Sequence, residues 1–228
     1  AARAPWAAAP IIGGGERAQG PRRDIRNPAD RRQLVGTVSE PSAAQIEEAL
    51  ARASAAAAAW DATPAEDRAR RLDRAADLIA ARMASFIAMI VREGGRTIPD
   101  ALAEVREAID HCRYCAARAR ADFSAPVALP GPSGERNELA LHGRGVFACI
   151  APWNFPLAIF LGQMAGALAA GNAVIGKPAE QTPVVAAAAV RLLREAGFPE
   201  DVVQLLPGGP ETGAALIADP RIAGVAFT

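Results

Sequence analysis

The sequence predicts an α/β protein, a helical N-terminal segment followed by half of a parallel sheet with helical crossovers. Three observations predict it. Between Ser42 and Phe123, apolar residues recur at helical spacing behind helix-start signals. From Val146 on, apolar runs at 146–151, 173–176, 202–206 and 224–227 alternate with helix-like stretches at 157–170, 183–196 and 211–218. That alternation is the pattern of a parallel sheet with right-handed crossovers. Between the first run and its helix, Pro152 and Pro156 bracket Trp153, Asn154 and Phe155, where neither ladder nor helix can run through.

Taken in order, residues 1–25 are Ala, Gly and Pro-rich without an apolar signal segment, and read as a linker or flexible arm. The chain opens on Ala1 rather than Met, and both of its ends read as cuts in a longer polypeptide. Residues 26–124 read as the helical part. Ser42 and Gln45 make a capping box before Ile46, Leu50 and an Ala-rich run to Trp60. Thr63-Pro64-Ala65-Glu66 repeats the device, with Pro at the first helical position, and opens a helix carrying Leu72, Ala76 and Ile79 on one face. A third helix with Phe86, Ile87, Ile90 and Val91 stops at Gly94-Gly95, and Thr97 before Pro99 opens a fourth that runs to about Phe123. Most charges on these helices are expected on solvated faces.

Residues 125–145 change character. Pro126, Pro130, Gly131 and Pro132 precede the alternating Glu138-Leu139-Ala140-Leu141-His142, which suits an extended arm or hairpin. Residues 146–228 form the half sheet. Its first helix ends at Gly171-Asn172, usual left-handed cap residues, and Lys177 falls just past the second strand, Ala173–Gly176. The unit is half of a Rossmann-like sheet, incomplete at its C-terminal end.

Charge and cysteine content narrow the function. With 25 acidic and 25 basic residues the chain has no net charge to hold nucleic acid or an acidic membrane. Its longest apolar helix-like stretch is shorter than the roughly 18–20 residues of a membrane span. Three cysteines are too few for a disulfide scaffold, which favours a reducing, cytoplasmic compartment. His111, Cys112 and Cys115 lie on one continuous helix and cannot close a tetrahedral metal site, so no metal is expected. Cys149 falls in an apolar strand and reads as a small buried hydrophobe.

Ligands of parallel sheets collect at the carboxyl ends of the strands, so Asn154 and Lys177 are expected to face one crevice. By itself, Asn154 between two prolines would be a turn residue bonding its own backbone. Lys177-Pro178-Ala179-Glu180 would by itself be a solvated loop, but it directly follows an apolar strand. The loop from Pro207 to Gly213 opens a helix and invites a phosphate reading. The G-x-G-x-x-G fingerprint is not met there.

Pro152-Trp153-Asn154-Phe155-Pro156 followed by Gly176-Lys177-Pro178-Ala179-Glu180 resembles the aldehyde dehydrogenase superfamily. Ala223–Thr228 resembles the strand leading into that family's phosphate-binding turn. RNPADRRQLVGTV, AEVREAIDHCRYCA and the stretch from Leu129 to Phe160 resemble one branch, the L-glutamate gamma-semialdehyde dehydrogenase module of proline utilization A. The likeness runs from about Arg26 to Thr228. It implies NAD as cofactor, an aldehyde as substrate, and Asn154 as donor to the oxyanion. It implies that Lys177 and Glu180 contact ribose hydroxyls and that Ile150, Ala151, Pro152, Trp153 and Ala179 line the cleft. Gly209 and Gly213 would let their helix approach the adenine side, and Glu107 would sit near the substrate's amino group. It also implies a homo-oligomer bridged by the 125–145 hairpin, fusion to a proline dehydrogenase domain, and a nucleophilic Cys and a base Glu in segments after Thr228. The competing reading is a non-catalytic module of the same fold, kept for assembly or nucleotide binding.

Overall fold

The computed structural model describes residues 6–228. Five short strands come first: β1 (Trp6–Ala8), β2 (Ile11–Ile12), β3 (Gly15–Glu16), β4 (Arg22–Asn27) and β5 (Asp30–Ser39). Four helices follow, α1 (Ala43–Asp61), α2 (Ala65–Ala81), α3 (Met83–Gly94) and α4 (Ile98–Phe123), and then the hairpin β6 (Val127–Leu129) and β7 (Asn137–Leu139). The half sheet is β8 (Val146–Ile150), α5 (Ala158–Ala169), β9 (Ala173–Lys177), α6 (Pro183–Glu195), β10 (Val203–Leu205), α7 (Pro210–Ile217) and β11 (Ile222–Phe227).

The central sheet has the order β11-β8-β9-β10-β2-β3, parallel across its first four strands and antiparallel at β10-β2-β3. From β8, the chain winds one way to β9 and β10 and then returns to the other side as β11. Strand order therefore reverses at β8, the switch point beside which open α/β sheets bind ligands. Every residue of β9 is buried, as a strand covered on both faces requires. A Cβ on Gly176 would stand 2.6 Å from Phe160 Cζ, so α5 lies this close to β9 only because no side chain intervenes.

Several expected caps are present. Ser42 and Gln45 close a capping box on α1, Gly95 takes the left-handed conformation after α3 (φ 68°), and the Thr97 side chain accepts from Asp100 N. The second capping device is not there. Pro64 occupies the cap position of α2 without a side-chain bond, because the Thr63 hydroxyl turns back to donate to Ala59 O.

The linker expectation for residues 1–25 also gives way. Residues 1–5 lie outside the described residues, but Ile11 and Ile12 are fully buried and pair with β10 and β3, while β1 pairs in parallel with β5 in a separate sheet ordered β1-β5-β4. Residues 26–124 likewise begin as a β-hairpin before turning helical. Two apolar residues between glycine and proline carry too little local signal to announce a strand. Pairing of Ile11 with Leu205 of β10, 194 residues later, decides it.

Three charges on the helices are buried where solvated faces were expected: Arg68, Glu93 and Glu104. Each meets backbone groups left open at a helix end. Arg68 donates to Ala169 O at the end of α5, to Asp61 O at the end of α1 and to Thr63 O just beyond it. Glu93 accepts from Val184 N (2.7 Å) and Val185 N (2.9 Å) in the first turn of α6. Glu104 accepts through Oε1 from Leu157 N (2.8 Å) and Ala158 N (3.3 Å) at the start of α5. The helical layer thus holds two of the three crossover helices, α5 and α6, through their ends as well as their apolar faces.

Candidate active site and cofactor cleft

Ile150 and Lys177 are register partners on adjacent parallel strands, and Ala151 N donates to Lys177 O at 3.1 Å. Lys177 is the last residue of β9 rather than the first beyond it. Both proposed sites consequently leave the sheet from the same end. The strand ladder enforces it.

At that end Lys177, Ala179, Glu180, Gly208 and Gly209 border a hollow of about 220 Å³. The Lys177 ammonium is buried and donates to Pro178 O and Gly208 O, each at 2.9 Å, tying the β9–α6 loop to the loop before α7. Desolvation lowers its pKa, and the nearby Glu180 carboxylate opposes the shift. An ammonium has three protons, so one remains beyond the two backbone bonds. Cβ atoms added at Gly209 and Gly213 would fall 3.3 Å from Glu180 Oε2 and 3.4 Å from Lys177 Cδ, which shows how closely the α7 turn approaches these side chains. A carboxylate acceptor and an ammonium donor beside one hollow suit a pair of vicinal hydroxyls, and so suit the ribose of a dinucleotide.

Two helix starts are already occupied by carboxylates of this chain. In nucleotide-binding α/β sheets, the helix after the first strand usually presents free N–H groups to the pyrophosphate. Here the first N–H groups of α5 and α6 are held by Glu104 and Glu93. The starts of α5 and α6 are therefore closed to anions.

Trp153 lies elsewhere than the hollow. It is exposed and borders a larger cavity of about 430 Å³ with Arg23, Arg26, Glu93 and Thr182, and Gln181 lines both spaces. Asn154 is exposed and lines neither. Its carbonyl accepts from Arg96 Nη1, while its side chain has no hydrogen-bond partner among the described residues. Glu107 is exposed on α4, with His111 Nε2 3.9 Å away. The structure thus assembles Lys177, Ala179, Glu180, Gly209 and Gly213 in one corner, with Ile150 and Ala151 against it. Pro152, Trp153 and Asn154 stand on a neighbouring loop and Glu107 on the helical layer.

The thiols take no part. Burial pushes Cys112 and Cys149 up to about 12 and raises Cys115. No cluster of metal-ligating side chains occurs among the described residues.

Sequence reasoning missed Glu93, Glu104 and Arg96. A glutamate within the apolar stripe of an amphipathic helix was the available signal for the first two. Burial pushes Glu93 up to about 8 against the pull of its two N–H donors. Between the ordinary carboxyl value of 4.5 and that value, the folded protein holds a proton that the unfolded chain releases. Stability contributed at Glu93 is thus full below pH 4.5 and falls by up to about 1.4 kcal/mol per pH unit until the folded pKa is passed. We expect the urea midpoint of the wild-type protein, relative to Glu93→Gln, to fall between pH 5 and pH 8. A constant difference would show that Glu93 is ionised throughout.

A half-built parallel sheet with a polar hollow beyond the carboxyl ends of β9 and β10 defines an α/β protein of the kind that takes ligands at that edge of the sheet. The chain belongs to the aldehyde dehydrogenase family, whose profile matches residues 16–228. It is 48% identical over 212 residues to the bifunctional protein PutA of Klebsiella aerogenes, covering 92% of this chain and 15% of that protein. To the 1-pyrroline-5-carboxylate dehydrogenase 2 of Bacillus subtilis it is 37% identical over 221 residues, covering 96% of this chain and 43% of that one. The chain therefore spans less than half the length of either relative. Among solved structures, a 1-pyrroline-5-carboxylate dehydrogenase from Thermus with bound NAD superposes with a TM-score of 0.93 at 40% identity, over 97% of this chain and 43% of that one. PutA from Bdellovibrio bacteriovorus superposes with a TM-score of 0.95 at 37% identity, over 99% of this chain and 24% of that one.

Proposed function

We propose that the complete polypeptide carrying this chain oxidises L-glutamate gamma-semialdehyde to L-glutamate with NAD, a step of proline catabolism. The carrying observation is the hollow at the carboxyl end of β9, where a buried ammonium and a carboxylate meet, with Asn154 four residues past Ile150, the cross-strand partner of Lys177. The relatives named for PutA and 1-pyrroline-5-carboxylate dehydrogenase support the substrate assignment.

In this reading a cysteine thiolate from a segment beyond Thr228 adds to the aldehyde carbon. The Asn154 amide donates to the oxygen as it takes up charge. Bound NAD supplies the hydride acceptor. Lys177 and Glu180 hold its ribose, Ile150, Ala151, Pro152, Trp153 and Ala179 line its cleft, and Gly209 and Gly213 keep the α7 turn close. Glu107 takes the substrate's amino group, and a glutamate beyond Thr228 activates the water that releases the product. The β6–β7 hairpin exposes Val127, Leu129 and Leu139, which suits a strand pair that bridges subunits of a homo-oligomer. A fused proline dehydrogenase domain and a cytoplasmic location complete the proposal. No helix among the described residues is long and apolar enough to cross a membrane.

The 228-residue chain alone should not turn over. A thiol held near 12, as at Cys112 and Cys149, carries almost no thiolate at neutral pH, and Cys115 is shifted the same way. Incubation of the purified chain with NAD and glutamate semialdehyde is expected to give no NADH. Steady NADH production that disappears in Asn154→Ala would place the nucleophile within these residues and overturn the division of labour.

A further inference from the structure

A donor that stabilises an oxyanion must be fixed before charge develops, since reorienting it during the reaction would cost what it gains. The Asn154 side chain has no hydrogen-bond partner of its own among the described residues, so its position depends on the loop. Two side chains hold that loop from the α3–α4 corner. Arg96, between α3 and α4, donates to Asn154 O, and its guanidinium lies 4.3 Å from the centroid of the Phe155 ring. On the other side of the loop, Glu104 accepts from Leu157 N and Ala158 N, and His111 Nδ1 on the same helix lies 3.1 Å from Ala158 O.

We propose that Arg96 and Glu104 form a two-point clamp that positions Asn154 for the oxidation step. The proposal rests on the reading of Asn154 as the oxyanion donor. A helix start is usually capped by a Ser, Thr, Asp or Asn at the cap position itself. Here Leu157 fills that position without a side-chain cap, and a carboxylate 53 residues upstream does the work. The arrangement costs stability, because Glu104 is fully buried and its Oε2 has no partner. What the distant carboxylate adds over a local cap is a tie between the loop and α4. Arg96 supplies the matching tie four residues before α5 begins at Ala158, at the residue that carries the amide. With the Asn154 carbonyl and the Leu157 and Ala158 amides all bonded to one helical corner, the backbone has little freedom to turn the side chain away.

The test uses the complete polypeptide containing this chain, with kcat at saturating aldehyde and NAD, NAD affinity by calorimetry, and thermal stability measured together. Arg96→Ala and Glu104→Ala are each expected to lower kcat by about tenfold or more while NAD affinity changes by less than about threefold. Glu104→Gln keeps a carbonyl acceptor and should recover most of the rate. On an Asn154→Ala background, loss of the clamp should lower kcat by less than about twofold further, because there is no amide left to misplace. Should Glu104→Ala fail to fold, half-exposed Arg96 decides. Unchanged kcat in Arg96→Ala, or a full additional loss on the Asn154→Ala background, overturns the clamp while leaving the oxyanion reading standing. Unchanged kcat in Asn154→Ala overturns both.

Discussion

Asn154→Ala in the complete enzyme should lower kcat by on the order of a hundredfold or more, with NAD affinity nearly unchanged. The amide stands on a loop outside the hollow formed by Lys177 and Glu180, so its removal takes nothing from the contacts proposed for the ribose. The side chain is exposed and has no hydrogen-bond partner among the described residues, so truncation also leaves no buried group unpaired and should cost little stability. The whole effect then falls on the rate, the signature of an interaction made only in the transition state. Kinetics at saturating NAD, with cofactor binding measured separately, checks it. A loss shared equally between affinity and rate, or an unchanged kcat, would make Asn154 a turn residue.

The second large effect is expected at Lys177. Removing a charged donor to a hydroxyl should weaken NAD by about ten- to a hundredfold, since such bonds contribute roughly 1.5–3 kcal/mol. The ammonium also bonds Pro178 O and Gly208 O, so truncation to alanine would open space in a buried corner and release two loops together. Lys177→Met is the cleaner variant, as it keeps the buried stem and removes the donor. NAD affinity should drop while kcat at saturating NAD changes by less than about threefold, because the ribose lies away from the reacting carbon. Unchanged affinity in a folded Lys177→Met protein would restrict the lysine to joining its two loops, and the cofactor corner would have to be sought elsewhere.

The alternation of β8 to β11 with α5 to α7 was legible because each element carries its own period and its own stop signal. Gly176-Lys177 and the two prolines around Asn154 marked the strand ends at which a ligand site forms. The cap of α1 was equally local, since Ser42 and Gln45 satisfy each other within four residues. Thr63 shows the limit of that reasoning. Its hydroxyl bonds the carbonyl of Ala59 behind it and leaves α2 without a side-chain cap.

The sequence by itself determined the parallel half sheet, the helical layer before it, the family, and the residues offered at the carboxyl ends of β8 and β9. These depend on periodicity, turn residues and short motifs, which are properties of neighbours in the chain. Only the tertiary structure decided that Ile11 and Ile12 join the central sheet, that Trp153 and Lys177 border separate spaces, and that Arg68, Glu93 and Glu104 leave solvent for the ends of helices far away in sequence. The fate of a charge on an amphipathic helix depends on what packs above it. Glu104 lies 53 residues from the amide it holds and Glu93 lies 91 residues from its own, so neither partner is visible until the fold closes.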